Sequence, residues 1–78
     1  MREKKLWLII TFHTTTAAMA MEAMCANRGL PGRLIPVPRE ITAGCGMSWR
    51  APVESRDELV LAAAEAGIAV DGTYELML

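Results

Sequence analysis

The chain is short of almost everything that would betray a function at a glance. Among 78 residues it has two tryptophans, one tyrosine, one phenylalanine, one histidine and two cysteines. Its apolar content, 53% of the chain, is carried instead by alanine, methionine and leucine, and that proportion is too high for a disordered segment. Two cysteines fall well below the density of a disulfide scaffold. One histidine and two distant cysteines give no zinc-ligand spacing, so neither a metal nor a cofactor is expected. Charge of one sign is missing as well. Eight basic and nine acidic residues leave a net charge of −1, which provides no field for a polyanion and excludes nucleic acid as the expected partner.

Long apolar runs are also absent. Leu6–Phe12 is apolar and follows a charged Met1–Lys5, like the start of a signal peptide. The run then stops at His13-Thr14-Thr15-Thr16, where a cleavage site would need small residues. A membrane span needs about 20 apolar residues. Leu6–Phe12 therefore reads as a buried strand of a cytoplasmic protein, with no membrane partner and with its thiols reduced. There is no Gly-x-Gly-x-x-Gly loop, no Walker sequence, no nucleophilic-serine motif and no defensible carboxylate pair.

What the chain does have is clear punctuation. Leu6–Phe12 is rich in β-branched and aromatic residues, and both of its alternating faces are apolar, as in a central strand. A threonine of Thr14–Thr16 caps a helix over Ala17–Arg28, whose inner stripe is Ala18, Met21, Met24 and Cys25. Gly29 ends it. Gly32–Val37 is a short strand that Pro36 either confines to a sheet edge or ends. Pro38–Gly46 is a loop. Met47–Ala51 is a third strand, with Met47 and Trp49 on one face and Ser48 and Arg50 on the other.

Pro52 leads to a second helix, where Ser55-Arg-Asp-Glu58 has the pattern of a capping box. Leu59, Ala62, Ala63 and Ala66 form its inner stripe, and Gly67 closes it. Ile68–Val70 opens a fourth strand, with a turn or bulge at Asp71-Gly72. Superposing Gly29 on Gly67 aligns Cys25 with Ala63 and Leu30 with Ile68, a weak internal repeat. The order β-α-β-β-α-β predicts one α+β, ferredoxin-like domain over residues 1–78. Two helices would cover one face of a four-stranded antiparallel sheet. The other face is expected to be open and partly apolar through Trp7 and Ile9, a surface for a homodimer. The methionines are expected to fill core gaps.

The chemistry concentrates at Cys45. It stands between Gly44 and Gly46, whose backbone freedom suits an anion-binding nest. Arg39 and Arg50 are near in sequence, and a cationic setting favours the reactive thiolate. A small residue filling a tight turn is the competing reading. His13, after the first strand, is a possible auxiliary base; a solvated loop histidine is the plainer account. Glu40 would pair with Arg39 or Arg50, Thr14–Thr16 serve as capping hydroxyls, and Cys25 belongs to the core.

The first-strand apolar run, the stretch Thr14–Glu22 (TTTAAMAME), Pro38-Arg39-Glu40-Ile41 followed by Cys45-Gly46, Arg50 five residues on, Gly67-Ile68 and Gly72-Thr-Tyr-Glu together resemble a family of small bacterial selenium/sulfur carrier-like proteins. The resemblance spans nearly the whole chain, and Pro-Arg-Glu-Ile-x-x-x-Cys-Gly is its most specific block. It implies that the family cysteine falls on Cys45 and its arginine on Arg39. Met24-Cys25 and Trp49 depart from the aliphatic residues usual at those positions. The expected role is a carrier that takes sulfur or selenium on Cys45 from a donor such as a cysteine desulfurase and passes it to an acceptor protein. A chain of this length has little room for a deep pocket, which favours a carrier over an autonomous enzyme. The alternative is a non-enzymatic interaction module that dimerises through its sheet and binds a small anion near the Cys45 loop.

Overall fold

A computed structural model describes residues 3–42 and 44–78; Met1, Arg2 and Ala43, the last within the predicted loop, lie outside the described residues. The elements run β1 (Leu6–Phe12), α1 (Thr15–Arg28), β2 (Arg33–Pro36), β3 (Met47–Pro52), a 3₁₀ turn (Val53–Ser55), α2 (Arg56–Glu65) and β4 (Val70–Met77). The strands form one antiparallel sheet in the order β2-β3-β1-β4. This is the ferredoxin-like α+β arrangement. β1 is central, as its two apolar faces required, and β2, with Pro36 at its end, lies at an edge.

The helices pack on one face of the sheet. Leu8, Ile10 and Phe12 of β1 meet Ala18, Met21 and Cys25 of α1, Leu59 and Ala63 of α2, and Trp49 and Ala51 of β3. Both helices end alike. Gly29 and Gly67 take the left-handed conformation, and the next N–H groups, those of Leu30 and Ile68, donate to the carbonyls of Cys25 and Ala63 at 2.9 Å. This is the Schellman pattern. The residues bonded in each half are those aligned by the internal repeat.

Two expectations are corrected. The Ser55 capping box does not form, because the 3₁₀ turn places Ser55 at φ −92°, ψ 3° and its side chain makes no capping bond. An N-cap needs an extended backbone, which Pro52 has taken ahead of the turn (φ −60°, ψ 142°). Met19 and Met77 are exposed, while Met21, Met24 and Met47 line the core.

The face away from the helices is not bare either. Ile9, Thr11 and Ser48 are fully buried there. Arg50 lies over the Trp7 ring, 4.4 Å from its centroid, and Gly44 presses so close that a Cβ on it would stand 3.3 Å from the Thr11 Cβ. The expected irregularity at Asp71 is a bulge: Thr11 pairs with Gly72 and Phe12 with Val70, leaving Asp71 as the extra residue.

Candidate functional site

Cys45 sits where β3 is entered, and both of its glycine neighbours have positive φ, 91° at Gly44 and 99° at Gly46. Gly44 is required twice over. Its φ is unfavourable for other residues, and a Cβ would also stand 3.1 Å from the Phe12 carbonyl oxygen. The turn is fastened on both sides. The Cys45 N–H donates to the Phe12 carbonyl at the end of β1, and the Gly46 carbonyl accepts from the N–H of Val37, just past β2; both distances are 2.9 Å. Cys45 is thus held beside the β1–α1 turn.

Its side chain packs against the helix-side core but is only half-buried. Among the described residues Sγ makes one hydrogen bond, a weak one to the Met47 carbonyl at 3.8 Å. Both cysteines are free thiols. Cys25 is buried in the core, and that burial raises its thiol pKa against the smaller opposing pull of Arg28.

The predicted companions of Cys45 separate. Gly44 and Gly46 frame it. The nest is incomplete, because the Cys45 N–H is committed to Phe12 and cannot face an anion. Arg39 occupies an exposed turn closed by the Ile41 N–H donating to the Pro38 carbonyl at 2.9 Å, and its guanidinium makes no ion pair or hydrogen bond among the described residues. Glu40, in the same turn, pairs with neither arginine.

Arg50 does not join the thiol. It shares the face of Ser48, away from the helices, whereas Cys45 packs on the helix side. His13 turns toward β4, where its Nδ1 lies 3.4 Å from Asp71 Oδ1. Asp71 Oδ2 also accepts from Thr11 Oγ1 at 3.1 Å, so the bulge serves a fully buried hydroxyl as well as the histidine. Sequence reasoning missed this cluster, in which Asp71 lies 60 positions from Thr11. The Asp-Gly pair in the last strand was its only signal. Thr14 Oγ1 accepts from the Ala17 N–H at 3.1 Å, the expected capping role. Among the described residues no group of three or more histidine, cysteine or acidic side chains could hold a metal. Among the described residues no helix is long and apolar enough to cross a membrane.

The arrangement offers one partly accessible thiol on a rigidly fastened turn. Chemically this can present a nucleophilic sulfur to another protein. Comparison with known families supplies the context: a family model described as "Putative Se/S carrier protein-like" matches residues 8–75. The match includes all of the Cys45 turn. No curated protein and no solved structure matches the chain.

Proposed function

The chain belongs to the Se/S carrier protein-like family, and from that membership we propose that it carries sulfur or selenium on Cys45 as a persulfide or selenopersulfide. The observation that supports this reading most is the setting of the thiol. Cys45 is free and half-exposed at the end of the sheet, while the second cysteine is sealed in the core.

In the loading step the Cys45 thiolate attacks the terminal sulfur of a persulfide on a donor protein. The new bond joins Cys45 Sγ to that sulfur, the donor's S–S bond breaks, and the donor cysteine leaves as a thiolate. No net oxidation occurs, and the terminal sulfur keeps its proton. Delivery is the same exchange onto an acceptor thiolate, which returns Cys45 to its starting state. A selenopersulfide follows the same course. The donor supplies the activated atom, so the carrier needs no base of its own, in keeping with a histidine directed to Asp71. A cytoplasmic setting, where thiols stay reduced, belongs to this reading.

The test is incubation with a cysteine desulfurase and cysteine, followed by intact mass under non-reducing conditions. The wild type and Cys25→Ala should each gain one sulfur atom, and Cys45→Ala should gain none. Parallel incubation with selenocysteine and a selenocysteine lyase tests the selenium branch. If the wild type stays unmodified with both donors, the carrier reading is lost.

A further inference from the structure

The sheet face away from the helices carries a cluster of positive charge that the Cys45 chemistry does not use. Arg33 of β2 stands directly opposite Arg50 of β3 in the strand register. Like charges placed so are destabilising to a sheet. Lys5 reaches the same place from the start of β1. Its Nζ lies 4.7 Å from the centroid of the Trp7 ring, and the Arg50 guanidinium lies 4.4 Å from it. In the ladder Lys5 precedes Trp7 by two residues, while Arg50 pairs with Ile9, two residues after it. Trp7 is therefore a spacer that holds two cations by cation–π attraction and keeps Arg50 half-buried.

Among the described residues none of the three has a carboxylate partner. The ion pairs among the described residues are His13–Asp71 and Arg28–Glu65. Asp71 is already engaged by Thr11 and His13, and Glu75 pairs with Leu8 in register, which puts it on the helix side. Arg50 Nε is buried with no hydrogen-bond partner. A carboxylate held by a half-buried guanidinium is bound more strongly than one beside a fully hydrated cation.

We propose that this face, centred on Lys5, Arg33 and Arg50, is a docking surface for an acidic segment of a partner protein. Two other occupants fit less well. A second copy paired face to face about a two-fold axis would bring the same three cations to the interface from both sides. Nucleic acid is disfavoured because the Trp7 ring already carries two cations where a stacking platform would have to be open. Carboxylates on a flexible segment suit a nearly flat, cationic surface, and the attraction would be steered and screened by salt.

The experiment is fluorescence anisotropy at low ionic strength with two labelled probes, a hexaglutamate peptide and a hexathymidylate. The wild type should bind hexaglutamate saturably, and added salt should weaken it. Lys5→Glu/Arg33→Glu changes two exposed side chains and should weaken binding about tenfold. Arg28→Glu/Arg56→Glu, with the same change of net charge on the helix side, should stay within about twofold of the wild type. Circular dichroism checks that both variants fold. Cys45→Ala should bind normally, which separates this surface from the carrier chemistry. The proposal is overturned by three outcomes: no saturable binding of hexaglutamate, equal loss in the two double variants, or tighter binding of hexathymidylate, which would assign the face to nucleic acid.

Discussion

At the scale of single residues, two thiols of the same chemistry are set apart by burial alone. Cys25 lies on the inner stripe of α1 with 1% of its surface exposed, and desolvation holds its thiol pKa above the ordinary 9.0. The neutral form is thus favoured in the folded state. The unfolded chain ionises first as pH rises, so it binds fewer protons and folding loses stability with increasing pH. The stabilisation is complete below pH 9 and declines above it as far as the raised folded-state value. Replacing Cys25 by alanine removes this dependence. Urea midpoints taken from pH 7 to pH 10.5 should fall more steeply for the wild type than for Cys25→Ala, with the curves converging at the alkaline end. Parallel curves would contradict the assignment. The separation of Cys25 from Cys45 was legible in the sequence, because helical periodicity marks a buried stripe and a glycine-flanked cysteine breaks it. The companions of Cys45 were not. Chain proximity suggested Arg50, but strand alternation sends its side chain to the other face.

At the scale of the elements, local patterns were reliable where the backbone was free to follow them. Thr14 has the extended backbone of an N-cap (φ −134°, ψ 153°) and accepts from Ala17. Ser55 has the better-known pattern, with Glu58 three residues on, yet makes no capping bond, because Pro52 and the 3₁₀ turn over Val53–Ser55 begin the helical path earlier. The two sites therefore respond differently to the same change. Thr14→Ala should cost about 1 kcal/mol of stability in urea denaturation. Ser55→Ala should stay within about 0.5 kcal/mol of the wild type. The bulge at Asp71 was foreseen only as one of two options. Its partners Thr11 and His13 depend on the register of β4 against β1, which no local pattern encodes.

At the scale of the whole molecule, the sheet is a shared wall between two unequal layers. One side is the helix core. The other was expected to lie open, but Ile9 of β1 is as completely buried as its neighbour Ile10, 0% exposed in each case, although they face opposite ways. Sequence alternation could identify two apolar faces of β1 without revealing what would cover the second. The cover comes from non-local pieces: Arg50 over Trp7, Tyr74 opposite Ile9 in register, and the backbone of Gly44 against Thr11. A protein of this length has about 4–12 kcal/mol of total stability, so neither layer is dispensable. Ile10→Ala should cost about 3 kcal/mol by opening the helix core. A bare sheet face would make Ile9→Ala much milder. The observed cover predicts a loss of the same order, about 2–4 kcal/mol, because the truncated side chain leaves a void among groups that cannot all collapse into it. Equilibrium urea unfolding of the two variants decides the matter. A loss below about 1 kcal/mol for Ile9→Ala, in the range of ordinary surface changes, would mean that the second layer does not stabilise the fold. A full-sized loss would show that the platform holding Lys5, Arg33 and Arg50 is as rigidly built as the core that positions Cys45.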